Sequence, residues 1–239
     1  MNDANDVRWE RRRTYAAPLW SADFLILRHI RAFVTPRLDR ILGSGQVVLD
    51  AGCGEQPLRR RIEAAGAHYL GVDVSQNRRG SVDLVASLVS IPREDASVDT
   101  IVCTEVLEHV PDTAAAFSEM ARLVRGGGVI LITTPFAYPL HEEPHDYVRL
   151  TARAIEALAA RNGLRVREVH ALGNEVEVLA LTFCNLMSNI LAPLPFALRA
   201  AAALVRLPLN VAVNLIALAL AALPLPRKSY LTTAAVLTK

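Results

Sequence analysis

The sequence predicts an α/β fold, a doubly wound and mostly parallel sheet with helices on both faces. Three observations predict it. Short apolar runs of strand length alternate with amphipathic runs of helix length. Val47-Val-Leu-Asp-Ala-Gly-Cys-Gly-Glu55 is an apolar run closed by an acid and followed by a Gly-x-Gly step. Tyr69-Leu-Gly-Val-Asp73 is a second apolar run ending in an acid, 23 residues after Asp50. Glycines after a strand permit positive φ and let a ligand approach the backbone. A carboxylate at the second strand's end offers two acceptor oxygens to a ribose diol.

Residues 1–20 are polar and basic, with Arg8, Arg11, Arg12 and Arg13 beside Trp9, Tyr15 and Trp20. Ser21 is a suitable N-cap for a helix to about Leu42, with Phe24, Leu27, Ile30, Val34 and Leu38 on one stripe. The spacing then gives a strand at 46–50, a helix at 57–65, and strands at 69–73, 82–86 and 98–103. A helix at 112–124, a strand at 128–134, a helix at 151–162 and a strand at 165–171 follow. Asn162-Gly163 closes the last helix as a C-cap. Gly126-Gly127-Gly128 reads as the turn into the fifth strand, since no P-loop Lys-Ser/Thr follows it.

From Val178 to Pro226 the only charges are Arg199 and Arg206. The uncharged stretches Val178–Leu198 and Leu207–Pro226 approach the roughly 20 residues of a bilayer-spanning helix. Pro193 and Pro195 break the first near its end. A β-branched segment, 230–237, completes the chain's elements. The expected organisation is an arm and helix (1–42), a core (43–175), an apolar helical insertion (176–228) and a final core strand (229–239).

A net charge of +2 implies no general affinity for nucleic acid. Cys53, Cys103 and Cys184 are odd in number and lack metal-ligand spacing, which fits a reducing cytosol. Met1 to Arg13 has no apolar core, so no secretory signal is expected there.

Four segments carry a family resemblance: Val47–Gly54, Gly71-Val-Asp-Val74, Ser97-Val-Asp-Thr-Ile-Val-Cys-Thr-Glu-Val-Leu-Glu-His109 and Arg122–Pro135. Together they resemble the class I S-adenosylmethionine-dependent methyltransferases of small molecules. The resemblance implies a seven-stranded Rossmann-like sheet whose last strand is antiparallel, with S-adenosylmethionine as cofactor. It places Asp50, Gly52 and Gly54, with Ala51 between them, at the methionine end of that cofactor. It places Asp73 and Val74 at the ribose, Ser87 and Leu88 at the adenine, and Thr104 and Glu105 on the cleft wall. Two positions depart from the family pattern. Gln56 stands where a third glycine is usual, which a lengthened turn would accommodate. Ser87-Leu88 stands where an acid is common, leaving adenine to a hydroxyl and backbone groups.

The function implied is methyl transfer, O-methylation foremost, to a small-molecule, glycan or lipid-linked acceptor. A cofactor-binding scaffold without activity and a nicotinamide dehydrogenase are the alternatives. The intact Asp50, Gly52, Gly54 and Asp73 set argues against the first. The order of the motifs after Asp73 argues against the second.

His141-Glu-Glu-Pro-His-Asp-Tyr-Val-Arg149 crowds two His, two Glu, an Asp, a Tyr and an Arg into a segment that should overhang the cleft. It is either a hydrogen-bonded lid capped by Thr151 or an acceptor-binding loop supplying a general base, His141 or His145 with Glu142 beside them. His and carboxylates also suit a metal, but no ligand spacing is visible and none is expected. His109 reads as fixing the turn into the next helix.

The apolar stretch is a cap or homodimer interface, a pair of membrane-spanning helices, or a hairpin lying in one leaflet. If 165–171 and 230–237 are sheet neighbours, the insertion leaves and returns on one side, which excludes a single span. Flanking Arg199, Arg206, Arg227 and Lys228 favour shallow insertion at the inner face of the membrane, with the core in the cytoplasm.

Overall fold

The structure, a computed structural model, describes residues 15–221, 223 and 228–239. The basic arm at 1–14 and the residues Pro226 and Arg227 lie outside that description. In chain order the elements are α1 (Phe24–Ile41), β1 (Val47–Ala51), α2 (Arg59–Ala64), β2 (His68–Asp73), β3 (Leu84–Val85) and β4 (Val98–Thr104). A single 3-10 turn (Leu107–His109) leads to α3 (Thr113–Leu123), β5 (Val124–Pro135), α4 (Ala152–Arg161) and β6 (Arg165–Leu172). Then come α5 (Glu175–Leu191), α6 (Phe196–Ala221) and β7 (Thr232–Thr238).

The seven strands form one sheet in the order β3-β2-β1-β4-β5-β7-β6. The first five run parallel, and β7 is antiparallel to both its neighbours. Side chains alternate across a strand, so the near-continuous apolar runs serve two cores at once. Leu49, Ile101, Cys103, Ile130, Ile132, Ala235 and Leu237 face Phe117 and Met120 of α3 and Ile155 of α4. Their neighbours Val48, Val102, Leu131, Ala234 and Val236 face Leu25, Ile30, Phe33, Val34 and Leu38 of α1.

Several boundaries differ from expectation for local reasons. α1 begins at Phe24 rather than next to Ser21, and its cap position, Asp23, makes no side-chain cap bond. Ser21 instead accepts the Asp23 N–H on its hydroxyl (3.2 Å) and the Phe24 N–H on its carbonyl (3.3 Å). β3 shrinks to two residues because Asp83 turns its carboxylate to the Gly71 N–H (2.8 Å). The triple glycine lies within β5 rather than forming a turn, where the β4–β5 register shifts between Val98 and Thr100. A Cβ on Gly128 would come within 2.5 Å of Val124 and 2.8 Å of the Asp99 carbonyl, so the irregularity needs glycine there. Thr151 caps α4 through the Ala154 N–H (3.1 Å), and Gly163 follows that helix at φ +68.

α5 and α6 form a helical hairpin between β6 and β7, which are adjacent in the sheet. The hairpin therefore departs from and rejoins the same end of the sheet, where Leu172 pairs with Thr232. Asn174 caps α5 by accepting the Val176 and Glu177 N–H groups. The helix stops at Leu191, before Pro193 and Pro195. Arg206 of α6 donates to Ser188 of α5 (3.1 Å). Buried Asn210 and Asn214 of α6 grip the strap before α1, donating to the Trp20 carbonyl (3.1 Å) and the Leu19 carbonyl (2.7 Å).

Candidate active site

A cleft of about 520 Å³ opens at the carboxyl ends of β1, β2 and β4. Ligands bind at this end of open α/β sheets because the turns there leave room and unpaired backbone groups. Gly52 (φ +71) follows β1 and donates its N–H to the Val72 carbonyl (2.8 Å). A Cβ on it would lie 2.3 Å from a Val106 methyl, so glycine alone keeps the cleft floor thin. Gly54 (φ +47) donates to the Asp73 carboxylate (2.9 Å), which also accepts the Ser75 N–H (3.3 Å). Asp73 thus pins the glycine turn while standing on the cleft wall.

Gln56 occupies the third-glycine position and itself adopts a left-handed φ of 60. Its side chain holds that conformation, donating to the Ser81 carbonyl (2.7 Å) and accepting from the Ser81 hydroxyl (2.9 Å) and Arg59 (3.2 Å). The backbone shape of a glycine is therefore kept by side-chain hydrogen bonds.

Of the residues expected at the cofactor, Gly52, Gly54, Asp73, Val74, Ser87, Leu88, Thr104 and Glu105 line this cleft. Asp50 and Ala51 are buried beneath it and are not among its lining residues. Asp50 accepts the Tyr69 hydroxyl (2.7 Å). Burial pushes its carboxyl up to about 7; the Tyr69 bond opposes this and the Asp73 charge adds to it. The folded protein therefore holds that proton more tightly than the unfolded chain. Its stability should fall as pH rises from about 4 to about 7, and level off above. In thermal unfolding without cofactor, Asp50→Asn should gain on wild type at pH 8 and match it near pH 4. A pH-independent difference would place the cause elsewhere.

The opposite wall is made of Asp23, Ile26, Leu27 and Ile30 with Tyr15, Tyr138, His109 and Glu142. Tyr15 bonds Thr104 through their hydroxyls, and burial, with the Asp50 charge second, raises the phenol well above its usual value. It stays protonated. Tyr138 donates to Asp23 (2.7 Å), tying the loop after β5 to the start of α1. Glu105 takes φ +53 at the end of β4. Such a conformation in a non-glycine residue costs about 1–3 kcal/mol and gathers at functional sites.

The acidic and basic residues of the loop separate into three positions. Glu142 reaches the cleft lip. His141 is buried behind the wall, with Nδ1 3.2 Å from both the Pro139 carbonyl and an Asp146 oxygen. Arg149 pairs with both Asp146 oxygens and holds that carboxyl down at about 2. His145 is exposed, off the cleft, with Nδ1 3.0 Å from the Tyr147 hydroxyl.

His109, read from sequence as a turn residue, instead stands on the cleft wall. Its Nδ1 donates to the His145 carbonyl (2.7 Å). Its Nε2 lies 3.6 Å from carboxylate oxygens of both Glu108 and Glu142. The ring meets His141 edge-on at 4.8 Å. Only its place directly after the β4 end, in Leu107-Glu-His109, hinted at this.

Residues 26–169 match the family model described as a methyltransferase domain. The chain is 34% identical over 200 residues to a ubiquinone biosynthesis O-methyltransferase of Aromatoleum aromaticum, a match spanning 66% of this chain and 86% of that protein. A protein of the same description from Paraburkholderia phytofirmans is 35% identical over 104 residues, 38% of this chain and 45% of that one. Among solved structures, phosphoethanolamine N-methyltransferase 2 of Haemonchus contortus, in complex with S-adenosyl-L-methionine, superimposes with a TM-score of 0.57. It shares 20% identity and covers 86% of this chain and 51% of its own. The [4+2]-cyclase SpnF aligns with the same TM-score at 18% identity, over 86% of this chain and 80% of its own, so the fold alone does not set the reaction. The chain belongs to the S-adenosylmethionine-dependent methyltransferase family. The cleft fits that cofactor: Gly52 leaves space that any side chain would fill, and the Asp73 carboxylate stands at the β2 end.

Proposed function

We propose that this methyltransferase methylates a hydroxyl oxygen of a small, largely apolar acceptor at the inner face of a membrane. The observation that carries the reading is the two-sided cleft. One wall bears Gly52, Gly54 and Asp73; the other carries the apolar side chains of α1 together with His109 and Glu142. The Aromatoleum and Paraburkholderia relatives are described as O-methyltransferases, which favours oxygen as the acceptor atom. S-adenosylmethionine, when bound, supplies an electrophilic methyl on a sulfonium. The residues of the chain do the rest. Gly52 and Gly54 admit the donor against the backbone, and Asp73 receives the ribose hydroxyls. Val74 lies next to Asp73, and Ser87 and Leu88 flank the adenine. Tyr15 and Tyr138 close the acceptor side, and His109 with Glu142 takes the hydroxyl proton. Positioning supplies most of the rate, since donor and acceptor held in contact react as one molecule.

The binding half of the reading is tested at Asp73. Asp73→Ala leaves the ribose hydroxyls unpaired and frees the Gly54 N–H, and should weaken S-adenosylhomocysteine binding by about 1–3 kcal/mol in calorimetry. Wild-type affinity in that variant would remove Asp73 from the cofactor site.

The location rests on the hairpin. α6 is long and apolar enough by length and composition to cross a membrane, and most of its surface is not covered by the protein. Leu204, Val205 and Ile216 are among its exposed side chains. Since both ends of the hairpin meet the same end of the sheet, a shallow hairpin in one leaflet is the arrangement we favour. Full crossing would place Arg199 on the far side, which the positive-inside tendency disfavours. Leu204→Glu with Ile216→Glu should abolish flotation with anionic vesicles while S-adenosylhomocysteine affinity is kept. A wild-type protein that ignores such vesicles and forms a stable dimer would make the hairpin an interface instead.

A further inference from the structure

We propose that Glu108, His109 and His141 bind a divalent transition-metal cation at the acceptor wall of the cleft. The ligand-type atoms of the three residues all lie within 4.8 Å of one another. Glu108 Oε1 is 3.6 Å from His109 Nε2 and 3.9 Å from His141 Nε2. Metal bonds of about 2.1 Å to nitrogen and oxygen set ligand atoms roughly 3–4.2 Å apart, the range in which both Glu108 distances already fall.

The hydrogen bonds behind the cluster prepare it for a cation. A carbonyl oxygen only accepts, so the 2.7 Å contact to His145 requires the proton on His109 Nδ1. The neutral ring then presents the lone pair of Nε2, which is buried and has no hydrogen-bond partner. His141 is set the same way: its Nδ1 sits between the Pro139 carbonyl and Asp146, which Arg149 fixes in turn. Metal-binding histidines are oriented by such contacts to a carbonyl or a carboxylate on the far nitrogen. Glu108 is fully buried and brings the negative charge that a cation would offset. Two imidazoles and one carboxylate suit a borderline ion such as zinc, cobalt, iron or manganese better than magnesium or calcium. No ligand spacing shows in the sequence because the three residues come from two segments joined only by the fold.

The inferred role rests on the methyltransferase reading. His109 lines the cleft, so an ion held by it would face the acceptor hydroxyl there. A coordinated hydroxyl loses its proton more readily. With His109 Nε2 committed to the ion, Glu142 alone takes the released proton in place of the His109–Glu142 pair; its carboxylate lies 3.6 Å from that nitrogen at the lip.

The test uses the full chain, stripped with a chelator and titrated with cobalt(II) alone, read by visible absorption and calorimetry. One equivalent per chain is expected. His109→Ala and Glu108→Gln should each lose stoichiometric binding. Asp146→Asn, behind His141, should weaken it about 10–100-fold. S-adenosylhomocysteine affinity, measured on the same samples, reports the fold and the cofactor site. A wild-type protein that binds S-adenosylhomocysteine but takes up no stoichiometric cobalt overturns the proposal, as does unchanged cobalt binding in His109→Ala. If Glu108→Gln does not fold, His109→Ala, on the cleft wall, decides the matter. Cobalt binding without S-adenosylhomocysteine binding would keep the site and remove its part in methyl transfer.

Discussion

Alanine at His109 is expected to lower turnover by about 10²–10⁴-fold, the usual contribution of a group that handles the transferred proton. S-adenosylhomocysteine affinity should be unchanged, because the imidazole meets Glu108, Glu142, His141 and the His145 carbonyl rather than the glycine turn. The contrast with two neighbours makes the result specific. His145→Ala should leave turnover near wild type: its side chain is exposed beside Tyr147, and only its backbone carbonyl serves His109. His141→Ala should be costly by another route, since it empties a buried position between Tyr138 and His109. The measurement is transfer of radiolabelled methyl from S-adenosylmethionine into a phenol- or catechol-bearing acceptor panel, beside calorimetry with S-adenosylhomocysteine. Wild-type turnover in His109→Ala would return the acceptor chemistry to the loop alone.

The second large effect is expected at Gly52. Its φ of +71 costs a side-chain-bearing residue about 1–2 kcal/mol. A methyl group there would also lie 2.3 Å from one Val106 methyl and 2.8 Å from the other. Forced overpacking adds about 1–3 kcal/mol. Relief would have to come from moving Val106, which lines the same cleft next to Glu105. Gly52→Ala should therefore lower the melting temperature and abolish measurable S-adenosylhomocysteine binding. Gly54 offers the control. It has a positive φ, but an added methyl would meet nothing within 4 Å, so Gly54→Ala should cost backbone strain without the clash. Equal losses in both variants would show that strain alone sets the requirement for glycine.

The parts of the site legible in the sequence were those encoded by one short segment. Gly52, Gly54 and Asp73 follow from a strand, an acid and a turn, and the fold places all three on the cleft. The alternating faces of Val48 and Leu49, or of Leu131 and Ile132, follow from strand periodicity once the runs are recognised as doubly buried. What stayed hidden depends on partners distant in the chain. Asp50 withdraws from the cleft because Tyr69 reaches it from the next strand. Gln56 imitates a glycine because Ser81 supports it. The cleft wall opposite the glycine turn is built from Tyr15 and Asp23 meeting Thr104 and Tyr138, contacts that no local pattern announces. His109 owes its orientation to a carbonyl in a loop that has no secondary structure of its own.

The placement of β7 bears on how the protein is made. β5 and β6 have no contact as neighbouring strands; each pairs with β7, whose seven residues are all buried. A ribosome delivers the apolar hairpin before it delivers β7, so there is an interval when α5 and α6 exist beside two unfilled strand edges. Exposed apolar helices and open edges are the surfaces that aggregate. During that interval a chaperone or a bilayer would shield the nascent chain, and the yield of folded protein should depend more on what receives the hairpin than on the rate at which the parallel half of the sheet assembles.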